Sequence, residues 1–191
     1  MEALLDATAR VLVREGYDRT STNRVAQIAG VSVGSLYQYF PSKEALVAAV
    51  IERHNNEMMQ IVRQALGKVA LSPIEIAARE LVSVMINAHR VDPKLHRILA
   101  EQTPRVGRLQ NIERVEQEAL ALVRAYLDAH SGEVGVEDLD LAAFFCVTIV
   151  EALTHAAIVR RPEAVSNDQV DKLINEITYL LVSYLRGRKS A

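Results

Sequence analysis

The chain has one cysteine, Cys146, and no tryptophan among its 191 residues. A single thiol excludes an intramolecular disulfide framework, and its place in an apolar run marks it as a small buried hydrophobe. A reducing, cytoplasmic setting is expected on that ground. Glycine and proline are scarce, at 8 and 5 residues. None of the glycines builds a phosphate-cradling loop or a Gly-x-Ser-x-Gly elbow, and neither His-Glu-x-x-His nor paired cysteines at metal-ligand spacing occur. The sequence therefore offers no catalytic residue, no metal ligand set and no cofactor, and an enzyme is not expected. Long apolar runs are missing too: the longest, residues 141–150, falls well short of the roughly 20 that a membrane span needs, so no membrane partner is expected. The first residues, Met1-Glu2-Ala3-Leu4-Leu5-Asp6, lack the basic region and apolar core of a secretory signal. Positive charge is not in excess either. The formal net charge is −2, and over residues 1–53 Arg10, Arg14, Arg19, Arg24, Lys43 and Arg53 are cancelled by Glu2, Asp6, Glu15, Asp18, Glu44 and Glu52. Any binding of nucleic acid must rest on local geometry, because bulk charge does not supply it.

What is present is helical periodicity. Half of the residues are hydrophobic, which excludes a disordered chain. Their spacing follows 3.6 residues almost everywhere, with no strand alternation, so the fold class is all-α. Leu4, Leu5, Thr8, Val11 and Leu12 trace a first helix that stops at Gly16. Short helices follow over 22–29 and 33–40. Ser42 is placed to cap a long helix starting at Lys43. After a break over 67–73, Ile74, Ala77, Ala78, Leu81, Val82 and Met85 mark another helix. Asp92-Pro93 opens the next, which Pro104 and Gly107 punctuate. Leu109, Ile112, Val115, Ala119, Leu120, Val123, Tyr126 and Leu127 form a long stripe. Residues 138–160 are apolar nearly all round, Pro162 follows, and Val170, Leu173, Ile174, Ile177, Leu180, Leu181, Tyr184 and Leu185 define a last helix before a polar tail, Arg186-Gly187-Arg188-Lys189. Short helices thus fill the start and long ones the rest. The division expected is 1–47 and 48–191, joined by a shared helix and not by a flexible linker.

Residues 20–43, TSTNRVAQIAGVSVGSLYQYFPSK, carry the functional signal. Ser21 or Thr22 caps a helix with Val25, Ile28 and Ala29 on its apolar face. Gly30-Val31-Ser32 makes a tight turn, with Val31 filling the space between helices and Ser32 capping the next one. Leu36 and Phe40 pack that second helix down at i, i+4. This is the layout of a helix-turn-helix, over about 22–41. Ser32, Val33, Gly34, Ser35, Gln38 and Tyr39 fall on the side not used for packing, where a short, well-supported helix can enter the major groove of duplex DNA. Gly34 permits close backbone approach. The hydroxyls of Tyr37 and Tyr39 and the charge of Lys43 suit phosphate oxygens.

The combination Gly16-Tyr17, Ser21-Thr22, Val25-Ala26, Ala29-Gly30-Val31-Ser32, Gly34-Ser35-Leu36-Tyr37-Gln38-Tyr39-Phe40 and Ser42-Lys43-Glu44-Ala45-Leu46 resembles the N-terminal domain of the TetR/AcrR family of transcriptional regulators. The resemblance covers about the first 50 residues. It implies a homodimer that places two reading helices on a near-palindromic DNA operator, and a second domain holding a small, apolar effector. It further implies phosphate contacts from Thr22, Ser35, Tyr37, Tyr39 and Lys43, with Val33, Gly34 and Gln38 nearest the bases. Two departures stand out: many members carry lysine where Val33 stands, and many have a basic arm ahead of the first helix, of which these residues show no sign.

In the second domain the polar groups among apolar neighbours are His89, His96, Glu151 and His155. Glu151 and His155 are i, i+4 and share a helix face, open to mutual pairing, to a metal or to a ligand. Helix position alone puts Met85, His89, Leu99, Phe144, Thr148, Glu151 and His155 around an effector pocket. The nearly all-apolar helix over 138–160 and the broad apolar face of the last helix suggest a helix-pair dimer seam, with Phe145, Leu173, Ile177 and Leu181 in it. The rival readings are a helical adaptor that binds only protein and an all-helical enzyme. The supported polar face of the second motif helix argues against the first, and the missing catalytic constellations against the second.

Overall fold

The computed structural model describes residues 1–103 and 110–187, and the side chains of all of these except 110–112. The expected breaks at Pro104 and Gly107, the stripe residue Leu109, the side chain of Ile112 and the tail residues Arg188 and Lys189 lie outside what is described. Among the described residues there are nine α-helices and no strand. These are α1 (Glu2–Glu15), α2 (Thr22–Ala29), α3 (Val33–Tyr39), α4 (Lys43–Lys68), α5 (Ile74–Val91), α6 (Pro93–Gln102), α7 (Gln110–Ala129), α8 (Leu139–Arg160) and, after a single 3-10 turn at Pro162–Val165, α9 (Val170–Leu185).

Helix starts follow side-chain chemistry. The Ser21, Ser32 and Ser42 hydroxyls accept from the amides of Arg24, Ser35 and Ala45. Asp92 and Asp138 do the same for Leu95 and Leu141, with Pro93 at the first helical position of α6. Each cap satisfies an amide that the helix itself cannot, a contribution of about 1 kcal/mol.

The chain divides into two compact units. The first comprises Met1–Asn56 together with Asp92–Glu113, and the second Glu57–Val91 together with Arg114–Ala191. The first unit thus runs past residue 47 along α4 and recruits α6. The reason lies in packing: Leu95, Ile98 and Leu99 rest on a buried cluster of Leu4, Leu5, Val11 and Leu12 from α1, Val25 from α2, Leu36 and Phe40, and Leu46, Val47, Val50 and Ile51 from α4. Thr8, wholly buried among them, donates its hydroxyl proton to the Leu4 carbonyl at 2.7 Å.

The second unit is centred on Ile74, Ala78, Val82 and Ile86 of α5, Ala142, Ala143, Cys146 and Ala157 of α8, and Ile174, Ile177, Leu181 and Leu185 of α9. The tail of α4 is tied to α7 by a two-pronged ion pair, with Arg63 Nε and Nη2 2.5 and 2.7 Å from the Glu118 carboxylate oxygens. Gly135 lies so close to the end of α9 that a Cβ there would clash with the Arg186 carbonyl oxygen, so only glycine fits.

Although the longest unbroken apolar run is short, α8 as a whole has 22 residues with a mean hydropathy of 1.9 over its most apolar window, enough by length and composition to cross a membrane. Its contacts give it a different role: Ala142, Ala143, Cys146, Thr154, Ala157 and Ile158 are buried against the second unit's other helices.

Candidate nucleic-acid interface

The geometry of α2 and α3 starts at the turn between them. Gly30 adopts the left-handed conformation, with φ 71° and ψ 29°, a region a residue with a side chain enters only at a cost. The Gly30 and Val31 amides close the end of α2 on the Gln27 and Ala26 carbonyls, at 3.3 and 3.1 Å. Val31 itself is turned out to solvent, so it does not fill the space between the helices as its apolar character suggested. That space is closed by Val25, Ala26 and Leu36, all fully buried.

Leu36 and Phe40 pin α3 by one face, as the i, i+4 spacing requires. The rest of the helix is at the surface: Ser32, Gly34, Ser35 and Gln38 are exposed, Tyr37 is 50% exposed and Tyr39 60%. Two tyrosines this open are not core residues. Val33 is half-buried and leans on the first unit's core; only part of its side chain faces outward. Thr22 and Tyr37 share a hydrogen bond between hydroxyls at 3.1 Å, which joins the start of α2 to the face of α3. Ser32 and Ser35 are linked through their hydroxyls at 2.8 Å. A Cβ built on Gly34 would meet only the Ser32 hydroxyl oxygen, at 3.8 Å. Nothing inside the protein requires glycine at that position.

Lys43 is less free than its sequence position implied. Its Nζ donates to the Tyr17 carbonyl at 3.3 Å and lies 4.2 Å from the centroid of the Tyr17 ring, a cation–π arrangement. Tyr17 is the residue that sequence reasoning did not assign a role. The only signal was its place after Gly16, because the 26 residues separating it from Lys43 hide the contact. Arg24 is likewise held, by Glu15 at 2.8 Å and Gln27 at 2.9 Å.

The residues expected around an effector pocket do not come together as a set. Leu99 belongs to the core of the first unit; α6 is drawn there by its own apolar face, and position along the chain could not show it. In the second unit a groove of about 480 Å³ lies between α7 and α8, walled by Leu120, Ala121, Arg124, Ala143 and Phe144 among others. Phe144 is the one expected pocket residue on its walls. Met85 and His89 sit on α5, where the buried His89 ring engages the Met85 carbonyl at 2.7 Å. Thr148 and Glu151 are exposed on α8 and His155 is half-buried. Although part of Glu151 is open at the surface, the loss of water around its carboxyl and then the Glu116 carboxylate raise its pKa, against the opposing effect of His155. Among the described residues no three His, Cys, Asp or Glu side chains are grouped to hold a metal.

The residues expected in a dimer seam are divided between core and surface. Ile177 and Leu181 are only 1% and 3% exposed, inside the second unit's own core, and Leu173 packs against it. The i, i+4 row on α9 expected in the seam packs within the chain itself. Phe145 is exposed, next to Leu141 and Phe144 on α8, and Tyr179 and Leu180 are exposed on α9.

Comparisons with known proteins agree with this geometry. Residues 4–50 match the family model for bacterial regulatory proteins of the tetR family, and residues 73–185, more than half of the chain, match that for the tetracyclin repressor-like C-terminal domain. The uncharacterized HTH-type transcriptional regulator YvkB of Bacillus subtilis is 34% identical over 64 residues, which are 34% of this chain and span about a third, 34%, of YvkB. Two solved structures share the fold over nearly the whole length. The fatty acid degradation regulator FadR from Bacillus halodurans has a TM-score of 0.75 at 20% identity, covering 98% of this chain and 96% of that one. The transcriptional regulator FadR from Bacillus subtilis in complex with stearoyl-CoA has 0.73 at 22% identity, covering 95% and 97%. With the helix-turn-helix and the helical second unit both matched, the chain belongs to the TetR family of bacterial regulatory proteins.

Proposed function

We propose that this protein is a cytoplasmic, ligand-responsive transcriptional repressor that acts as a homodimer on a near-palindromic DNA operator. The observation that carries the reading is the exposed polar face of α3, held rigid by Leu36 and Phe40 and by the turn at Gly30. Gln38 is the base reader, because its amide matches the paired donor and acceptor of adenine in the major groove. Gly34 lets the α3 backbone approach the bases. Thr22, Ser35, Tyr37 and Tyr39 supply hydroxyls to the phosphate backbone, and Lys43, steadied by Tyr17, supplies charge.

The dimer forms through the exposed apolar side chains of α8 and α9, Leu141, Phe144, Phe145, Tyr179 and Leu180. Such a patch on a pair of long helices supports a self-complementary seam. The effector is a small, mostly apolar molecule; the likeness to FadR bound to stearoyl-CoA supports a fatty acyl thioester. It acts by binding one DNA-spacing state of the dimer better than the other, and its effect is limited by that difference.

Selection of genomic fragments on the purified protein, followed by gel shift with competitor DNA at stated salt, tests the reading. Retention of discrete fragments, released by stearoyl-CoA, is the expected result. Equal retention of all DNA, or none, overturns it.

A further inference from the structure

Within the first unit two histidines meet across helices. His54 of α4 and His96 of α6 have ring centroids 5.6 Å apart, and His54 Nε2 lies 3.3 Å from His96 Nδ1. Both rings are half-buried. A hydrogen bond between two imidazole nitrogens needs one of them protonated and the other bare. The neutral pair meets that requirement. A first added proton can settle on a ring nitrogen outside the contact and leave the bond in place; with both rings protonated, two N–H groups face each other and positive charge stands where burial disfavours it.

The position of the pair gives this contact a consequence. It lies beside the packing that seats α6, whose Leu99 shares one buried cluster with Leu36 of α3. We propose that the His54–His96 contact is a proton-sensitive clasp that seats α6 on the first unit, and that acidification opens it and thereby changes the affinity of α3 for DNA. The second half of the proposal rests on the DNA-reading role assigned above.

Burial holds the His54 pKa below its ordinary 6.5, against the opposing charge of Asp92 at the start of α6. The other charged groups on the packed elements are Glu2, Asp6, Arg10, Arg14 and Glu15 of α1, Lys43, Glu44, Glu52, Arg53, Glu57, Arg63 and Lys68 of α4, and Lys94, Arg97 and Glu101 of α6. Of these, Arg53 is engaged by Glu2 and Asp6, and Arg97 by Glu101. Because the folded state disfavours the His54 proton, the clasp is fully effective above the ordinary histidine pKa. It weakens as pH falls from there through the lowered value.

Amide hydrogen exchange over residues 93–102 of the full chain, corrected for intrinsic exchange, reads the clasp without DNA. The range runs from about pH 8 to about pH 5, which brackets histidine titration. Opening raises the α6 opening equilibrium by up to about tenfold per pH unit for each extra proton the open form binds, one or two for this pair. His54→Gln and His96→Asn place a non-titrating amide nitrogen where Nε2 and Nδ1 stand, and are expected to flatten the profile. A wild-type profile that matches either folded variant overturns the clasp. Operator affinity is measured over the same pH range. If exchange shows the transition but wild type and variants lose or gain DNA affinity in parallel, the link from α6 to α3 is overturned. Failure to bind any operator at any pH strikes the DNA-reading role and with it that link, while the exchange profile still decides whether the clasp exists.

Discussion

Gly34→Ala separates what the fold needs from what DNA needs. Gly34 lies in the first turn of α3 with no positive φ, and the added Cβ meets a single atom, the Ser32 hydroxyl oxygen, at ordinary van der Waals distance, 3.8 Å. Alanine in place of a helical glycine stabilises by roughly 0.5–1 kcal/mol, nearer the lower figure in a first turn. For a chain of this size that is a rise in Tm of about 1–3 °C. On the DNA side the sign reverses. If the α3 backbone approaches the groove at Gly34, a methyl group there overpacks the contact by about 1–3 kcal/mol, a loss of affinity of about 5- to 150-fold. Thermal unfolding and fluorescence anisotropy with a selected duplex, on the same preparations, measure both. The reasoning predicts a variant that is at least as stable as wild type and binds DNA more weakly. A stable variant with undiminished affinity would refute the placement of Gly34 against the groove.

Lys43→Ala is expected to lower the slope of log affinity against log salt by about 0.9 for each head engaged, because one phosphate neutralisation is lost. An unchanged slope in salt titrations would mean that the charge stays on Tyr17 and does not reach the backbone. Burial pushes the Cys146 thiol up to about 12, so it should resist a thiol-specific reagent at about pH 8 in the folded protein and react at once after denaturation, since the thiolate is the reactive form. Rapid labelling of native protein contradicts its placement in the core. Replacing Phe144 and Phe145 together by glutamate spares the buried cluster of the second unit, to which neither belongs. Sedimentation should then show a folded monomer with weakened operator binding; a persistent dimer would put the seam elsewhere.

The order and ends of the helices were legible because their signals are local. Ser32, Ser42 and Asp92 cap the helices that their positions announce, Ser21 and not Thr22 takes the cap left open between them, and Gly30 takes the left-handed turn. The exposed face of α3 was legible for the same reason, since seven residues anchored at Leu36 leave few ways to orient the rest. What failed to show depends on distant partners. Leu99 and Phe144 have similar apolar character and lie on similar helices, yet one is in the first unit's core and the other lines a groove in the second. Along α9 the apolar stripe is too wide to tell its inward row, Ile177 and Leu181, from its outward neighbours Tyr179 and Leu180. Lys43 reads as a free cation until Tyr17, far back in the chain, is seen beneath it.

The central claim is that Gln38 on the open face of α3 reads a base. Equilibrium binding of the wild type and Gln38→Ala to a selected duplex and to its single-base-pair variants, all at one salt concentration, tests it most directly. The account predicts that the substitution abolishes a preference of about 1–3 kcal/mol at one position in each half-site and leaves discrimination elsewhere intact. An equal loss on every duplex, or no loss on any, would contradict it.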